Sequence, residues 1–232
     1  MRHLTGRQVF NLIPKHDDWY RISNKASSDR AEIYLYDEIG WFGTTANDFV
    51  DELKTVTSPQ IDLHISSVGG DIFDGVAIYN ALRTHPAQVT SVVDSMAASI
   101  ASVITQAGDR RVMLTGSQMM IHRAQGFALG NSADMRDLAD ILDRQTDLIA
   151  EIYAEASGGS GKKNRFLSLM REETWFNASE AVAEGLADEV VKPQKETQRV
   201  EQKQEAPDWV NLFRSMKLDE EEMLHGSTQN TV

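Results

Sequence analysis

The sequence contains no cysteine, so it can form no disulfide, no thiolate metal site and no cysteine nucleophile. No apolar run approaches the roughly 18 residues that a membrane-spanning helix needs. The N-terminal residues 1–7 are not followed by the apolar segment of a signal peptide. We therefore expect a cytoplasmic protein that does not cross a membrane.

Positive charge is scarce: 23 Lys and Arg residues stand against 35 Asp and Glu residues, for a net charge of −12. Proteins that bind nucleic acid draw much of their affinity from Lys and Arg on phosphates, so we expect no nucleic-acid partner. Lysine is also absent between Lys54 and Lys162, which argues against a Ser–Lys catalytic dyad in the centre of the chain.

Strands and helices alternate through the centre of the chain. Alternating or β-branched segments predict strands at residues 32–36, 61–65, 89–93, 111–114, 118–121 and 188–191. Apolar periodicity and caps predict one helix that runs to Lys54 from a Thr44 or Thr45 cap, and others at residues 72–84, 100–107, 132–157, 164–170 and 179–186. This order indicates an α/β fold of βαβ units with a largely parallel sheet.

The chain divides by composition into three regions. Residues 1–30 are mixed and polar and predict an arm with one short strand, whereas residues 31–191 carry the alternating elements. Residues 192–232 form a tail that begins with a polar linker. Within the tail, one apolar helix face is predicted that is suited to docking on a partner, formed by Trp209, Leu212, Phe213 and Met216.

Ser99 and His122 are the first candidates for chemistry. Ser99 stands where the strand at residues 89–93 passes through small residues into a helix, and His122 closes the apolar segment at residues 119–121. Backbone N–H groups and the positive end of the helix dipole gather at such a turn. The two residues form a candidate nucleophile and base. Each taken alone also fits a structural role, as a small packing residue and as a hydrogen-bonded strand-end histidine.

A glycine pair follows the preceding strand. Gly69 and Gly70 open the helix at residues 72–84, at the sheet edge where parallel α/β folds collect their ligands. Their N–H groups, with that of Ile100, could stabilise the charge of a tetrahedral intermediate. A tight strand-to-helix turn is the alternative interpretation of the pair.

Five segments, in order and spacing, resemble the signature segments of ClpP-type serine peptidases. They cover the chain between about residues 32 and 191 and are Ser66–Gly70, Ser95–Ser99, Met120–His122, Ile152–Glu155 and Ser179–Asp188. The resemblance implies the ClpP/crotonase fold of repeated ββα units, with the long helix from Ser132 as the handle through which two rings pack. It implies homo-oligomeric rings of seven or stacked sevens, protein substrates, and neither a cofactor nor a metal.

The resemblance also implies the site residues. Ser99 is the nucleophile, His122 the general base, and Gly70 and Ile100 supply the oxyanion N–H groups. The acidic third member falls on Glu173, where housekeeping enzymes carry Asp. A glutamate can fill this role because the role needs a carboxylate at the ring nitrogen. Glu172 is the nearest substitute, and a solvated acidic turn is the alternative interpretation.

Other features depart from the housekeeping pattern. Val68 stands in place of the proline before the glycine pair, and Arg123–Ala124 in place of Gln–Pro after the histidine. With the arm, the tail and Glu173–Trp175, these traits resemble head-maturation peptidases of tailed phages and prophages, which process capsid and scaffold proteins without an ATPase. Such an enzyme would act in the host cytoplasm or inside the prohead.

Other functions stay open from the sequence. A housekeeping-like proteolytic subunit working with a Clp ATPase is possible, although nothing in the sequence supports that partner. A catalytically weak ring that serves as an assembly scaffold would use the same fold. A crotonase-type acyl-CoA enzyme would share the sheet and the backbone oxyanion hole. His64, beside Asp62, is interpreted as a structural histidine rather than a metal ligand.

Overall fold

The computed structural model describes residues 20–23, 29–40 and 42–192. Most of the predicted arm and the Trp209–Met216 helix therefore lie outside the described residues. All of the described residues belong to one compact unit, which lies within residues 1–193. The predicted three-region division of the chain stays a prediction.

An eight-stranded sheet forms the centre of the described part. Its strands are β1 Tyr20–Ser23, β2 Arg30–Leu35, β3 Gln60–Ser67, β4 Gln88–Ala98, β5 Arg110–Leu114, β6 Gln118–Ile121, β7 Thr174–Asn177 and β8 Glu189–Val191. The order is β1-β2-β3-β4-β5-β8, and β6 pairs with the end of β4 and with β7. Pairing is parallel except for β1 with β2 and β6 with β7. The predicted α/β fold with a largely parallel sheet is confirmed.

Six α-helices connect the described strands. They are α1 Ala46–Leu53, α2 Ile72–Thr84, α3 Ile100–Thr105, α4 Ser132–Ala156, α5 Lys163–Arg171 and α6 Ala178–Glu184, with a 3-10 turn at Ser160–Lys162. N-cap residues explain where several helices begin. The side chains of Thr45 and Asp71 accept hydrogen bonds from N–H groups in the first turns of α1 and α2, respectively. Asn131 and Asp134 form a capping box at the start of α4. None of the described helices has the length and apolar character that a bilayer crossing requires.

The core lies where β-branched and aliphatic residues alternate inward along the strands. On β3, Ile61, Leu63 and Ile65 are fully buried, and Phe49 of α1 and Ile78 of α2 cover the sheet. Helix α4 is buried only in its second half, and its first half, which carries many charged residues, is exposed to solvent. The handle predicted from Ser132 is thus present as an exposed helical arm.

Two strands differ from the sequence prediction. The strand predicted at residues 89–93 runs to Ala98, because Met96–Ala98 pair with β6 although Asp94, Ser95 and the alanines favour strands only weakly. Strand β7 was not predicted, and it pairs antiparallel with β6. Both differences shape the site, because β4 leads directly into Ser99 and β7 starts directly after Glu173.

Candidate active site

Ser99 occupies a strained turn between β4 and α3. Its φ is 54° and its ψ is −127°, a backbone conformation that costs energy for a residue with a Cβ. The turn is fixed on both sides: the Ser99 N–H donates to the Met120 carbonyl at 3.0 Å, and the Ser102 N–H donates to the Ser99 carbonyl at 3.0 Å. The seryl side chain is therefore held at the carboxyl end of the sheet rather than within the helix.

The parallel pairing of β4 with β6 brings His122 to the same edge. His122 directly follows β6, and its Nε2 lies 2.7 Å from the Oγ of Ser99. Because an imidazole nitrogen that accepts this hydroxyl must be unprotonated, the ring proton then resides on Nδ1. The predicted pair is thus in direct hydrogen-bond contact, although His122 lies 23 positions after Ser99 in the sequence.

Two opposing influences act on the imidazole. Burial lowers the pKa of His122, and the charge of the Glu173 carboxylate raises it, with a net result below the ordinary value. The Nδ1 atom is buried and has no hydrogen-bond partner among the described residues. The base is therefore neutral at pH 7, and one of its two nitrogens remains unsatisfied.

Glu173 lies at the position from which it can act on His122. Thr174 pairs with Ile121 at the end of the antiparallel β6–β7 ladder. Glu173, which precedes Thr174, therefore neighbours His122, which follows Ile121. Glu173 has a φ of 48°, in the left-handed region, and its side chain is exposed. Glu172 is also exposed and is not among the charges that move the pKa of His122.

The glycine pair lies against the serine turn. Gly69 has a φ of 91°, and a Cβ there would come within 2.7 Å of the Ala98 carbonyl oxygen. At Gly70, a Cβ would overlap the carbonyl of Ile39. Ile39 forms an isolated β-bridge with Gly70: the Ile39 N–H donates to the Gly69 carbonyl, and the Asp71 N–H donates to the Ile39 carbonyl. The Gly70 N–H takes no part in this bridge. As the first residue of α3, Ile100 also has an N–H without an intrahelical acceptor.

A cavity of about 240 Å³ opens beside Ser99. Its walls combine the serine turn and the imidazole with Val68 after β3, Met120 of β6, and Ile149 and Tyr153 of α4. Gly70 and Ile100 also line it. A side chain placed there would lie next to the serine hydroxyl.

Sequence reasoning missed two hydroxyls beneath this turn. Ser102 donates through Oγ to the Ser99 carbonyl at 2.5 Å, and the Tyr153 hydroxyl lies 2.8 Å from Ser102 Oγ. Tyr153 falls on the periodic apolar face of α4, so the sequence indicates only that it is buried. Its polar partner is 51 residues away and is set by tertiary packing.

A second titratable cluster lies on the sheet away from the cavity. His64 Nδ1 lies 2.8 Å from an oxygen of the Asp94 carboxylate, Tyr36 donates to the same carboxylate, and Tyr34 stacks on the imidazole. Burial lowers the pKa of His64, but the hydrogen bond and charge of Asp94, together with the charges of Asp62 and Glu32, outweigh that effect and raise it. No group of three or more His, Asp or Glu side chains within the described residues is arranged to hold a metal ion.

Acyl transfer is the chemistry that a serine hydroxyl performs when an imidazole accepts its proton beside free backbone N–H groups. Fold and geometry thus define a serine hydrolase built at the carboxyl edge of an α/β sheet.

Comparison with known proteins narrows this class. The family model described as Clp protease matches residues 14–194. The ATP-dependent Clp protease proteolytic subunit of Deinococcus radiodurans is 29% identical over 204 residues, which cover 82% of this chain and 97% of that protein. Subunit 2 from Chlamydia trachomatis is 36% identical over 66% of this chain and 77% of its own length. The Bacteroides fragilis subunit is 31% identical over 68% and 80%.

The chain belongs to the Clp protease family and is a serine peptidase. The predicted ClpP fold and hydrolase class are confirmed.

Proposed function

We propose that Ser99 and His122 hydrolyse peptide bonds, with Glu173 as the acidic third member. The contact of 2.7 Å between Ser99 Oγ and His122 Nε2 is the observation that carries this proposal. The lowered pKa of His122 supports it, because a neutral imidazole is the form that can accept a proton.

The proposed reaction has two halves. His122 Nε2 takes the proton of Ser99 Oγ while that oxygen attacks the substrate carbonyl carbon, and the N–H groups of Gly70 and Ile100 stabilise the resulting oxyanion. The intermediate collapses as the C–N bond breaks and the imidazolium gives its proton to the leaving amine. Water, deprotonated by His122, then attacks the acyl ester, and the proton returns to Ser99 as the acid leaves.

Glu173 would complete this site by accepting the Nδ1–H of His122. Its charge already acts on the imidazole, while Nδ1 remains buried without a partner among the described residues. A buried donor without an acceptor costs about 1–3 kcal/mol. A hydrogen bond from the Nδ1–H of His122 to the Glu173 carboxylate would remove this cost. The left-handed turn at Glu173 is the place where the backbone can absorb the movement of the carboxylate onto Nδ1.

Protein substrates and self-assembly form part of the proposal. Apolar side chains remain exposed on α4 and on the loop before it, namely Phe127, Leu129, Met135, Ile141 and Leu148. These positions support packing between copies of this chain, in rings of seven or stacked sevens. The cavity of about 240 Å³ would receive a substrate side chain next to the scissile bond.

For the biological role, we propose processing of phage capsid or scaffold proteins during head maturation, in the host cytoplasm or the prohead. Support comes from Val68, Arg123–Ala124 and Glu173–Trp175, together with the arm at residues 1–30 and the tail at residues 192–232. A housekeeping role with a Clp ATPase is the second candidate, favoured by the names of the relatives, which are ATP-dependent proteolytic subunits. A catalytically weak ring that acts as an assembly scaffold is the alternative to both of these roles.

The first experiment is labelling with a fluorophosphonate, read by intact mass, after light scattering has fixed the size of the oligomer. We expect one adduct on the wild type and none on Ser99→Ala. Ser102→Ala serves as a second serine variant of the same helix, and it should still accept one adduct. An assembled wild-type protein without an adduct would contradict the assignment of Ser99.

A second experiment separates the two roles. The protein is incubated with a phage capsid or scaffold precursor and, separately, with an unfolded model protein, each with and without a Clp ATPase and ATP. Cleavage of the precursor without ATPase supports head maturation. Cleavage of either substrate only with the ATPase and ATP would favour the housekeeping role.

A further inference from the structure

Two buried hydroxyls support the carbonyl of Ser99 from below. That carbonyl accepts the N–H of Ser102 at 3.0 Å and the Ser102 hydroxyl at 2.5 Å. Ser102 Oγ in turn lies 2.8 Å from the Tyr153 hydroxyl. The contact joins α3, which begins at the nucleophile, to the buried half of α4.

The direction of this chain follows from the number of protons. A serine hydroxyl has one proton, and Ser102 gives it to the Ser99 carbonyl, so Tyr153 must donate to Ser102. Burial raises the pKa of Tyr153, which keeps its hydroxyl protonated. Ser102 is fully buried and Tyr153 is 1% exposed, so bulk water does not compete for these bonds.

The Ser99 carbonyl matters because it belongs to the same peptide unit as the Ile100 N–H. A trans peptide is planar, and its C=O and N–H point in opposite directions. Fixing the carbonyl toward Ser102 therefore aims the Ile100 N–H away from α3. Since Ser99 and Ile100 both line the cavity beside the imidazole, that direction is the one in which an oxyanion would form.

The strained turn makes this support necessary. With a φ of 54°, Ser99 holds a conformation that a residue with a side chain leaves unless its surroundings fix it. Rotation of the peptide would relieve the strain and would swing the Ile100 N–H out of place at the same time.

The geometry points to Ser102 and Tyr153 as positioning residues that hold the Ser99–Ile100 peptide and thereby aim the oxyanion donor. Neither residue touches the reacting atoms in this role. The inference rests on the proposed function, because it takes Ser99 as the nucleophile and the Ile100 N–H as an oxyanion donor.

Three variants test the inference in the assembled full-length protein: Ser102→Ala, Tyr153→Phe and the double variant. Losing an oxyanion donor outright costs about 10²–10³ in kcat, so a misaimed donor in Ser102→Ala should cost about tenfold. Tyr153→Phe keeps the Ser102 hydroxyl and should cost less. In Ser102→Ala, KM should stay unchanged, while affinity for a peptidyl boronate, which forms a tetrahedral anion on the serine, should fall in parallel with kcat.

The double variant separates positioning from simple stability. Ser102→Ala leaves the Tyr153 hydroxyl buried and unpaired, whereas the double variant removes both partners and should regain part of the lost melting temperature. The positioning role predicts that kcat stays as low as in Ser102→Ala. Thr105→Val is the matched control, because Thr105 is a fully buried hydroxyl of α3 that donates to the Ala101 carbonyl. Its kcat should equal that of the wild type.

Each alternative outcome is decisive. A kcat that recovers with the melting temperature in the double variant would reduce the pair to a structural role. Unchanged kcat and boronate affinity in Ser102→Ala would overturn the inference while leaving the proposed function intact. Failure of the proposed function is recognised separately, by turnover that persists in Ser99→Ala.

Discussion

At the scale of single residues, His122 is held between burial, which lowers its pKa, and the charge of Glu173, which raises it. Burial prevails. The imidazole therefore keeps its basic form to a lower pH than a histidine in water, whose pKa is about 6.5.

This balance predicts the acid limb of the pH profile. The kcat/KM of the wild type should rise with pH through a pKa below about 6.5, because only the neutral imidazole accepts the serine proton. Glu173→Gln removes the one effect that raises the pKa, so its acid limb should move to a still lower pH. Fluorophosphonate labelling rates measured against pH report the same titration without a substrate.

Glu172→Gln is the matched control for this prediction, since it removes another exposed carboxylate one residue away. Its pH profile and kcat should match those of the wild type, while Glu173→Gln should lose at least about tenfold in kcat through the misoriented ring. A larger loss in Glu172→Gln than in Glu173→Gln would transfer the third position to Glu172.

At the scale of secondary-structure elements, Arg111 links the C-terminal ends of helices α3, α4 and α6 by hydrogen bonds. Its guanidinium donates to Gln106 of the turn after α3, to the Ala156 carbonyl at the end of α4 and to the Gly185 carbonyl after α6. It also pairs with Asp188 at 2.5 Å. The fork of a guanidinium satisfies these acceptors together, which a single ammonium group cannot do.

Arg111→Lys should therefore lower the free energy of unfolding by about 2 kcal/mol, since each lost hydrogen bond contributes roughly 1 kcal/mol. Arg110→Lys is the control next to it. Its pair with Glu189 is exposed, so its loss should change stability by less than about 1 kcal/mol. Urea denaturation measures both, and equal effects of the two variants would contradict the role of Arg111.

Asp188 gives this pairing a dependence on pH. Burial alone would raise the pKa of Asp188, but the bonds and charge of Arg111 lower it below its usual range. The stabilisation is thus present above the unfolded pKa of about 3.9 and is lost as the pH falls through the lowered value.

The elements differ in how far the sequence could predict them. Helices α2 and α4 and strand β6 follow from local signals, namely caps, periodicity and apolar runs, and their predicted bounds agree within a residue. The end of β4 and all of β7 depend on pairing with β6, and pairing partners are not visible in a local pattern. In the site, the sequence indicated the Ser99–His122 contact, whereas the unpartnered Nδ1 and the Tyr153–Ser102 bond depend on packing between distant segments.

At the scale of the whole molecule, the most exposed large apolar side chains of the described residues lie in the loop before α4. Phe127 and Leu129 are 89% and 91% exposed in the loop between His122 and α4. Burying such side chains against another copy would contribute roughly 1.5–3 kcal/mol each.

A Phe127→Ser/Leu129→Ser variant should consequently weaken self-association at least about tenfold, with the fold retained. Light scattering over a concentration series gives the oligomer size, and far-UV circular dichroism gives the helix content. Asp140→Ser, an exposed polar position on α4, should leave the assembly unchanged. An unaltered oligomer in the double variant would place the contact between copies elsewhere.

Ser99 and Glu173 share one more property: they are the two non-glycine residues with positive φ in the described part of the chain. Glycine adopts such angles without a steric penalty, so at both positions it would relieve the backbone. A population of variants screened only for heat resistance should therefore accumulate glycine at these positions and lose hydrolysis as it does so. In relatives whose peptidase activity is no longer under selection, substitutions at positions 99 and 173 should be among the first to appear.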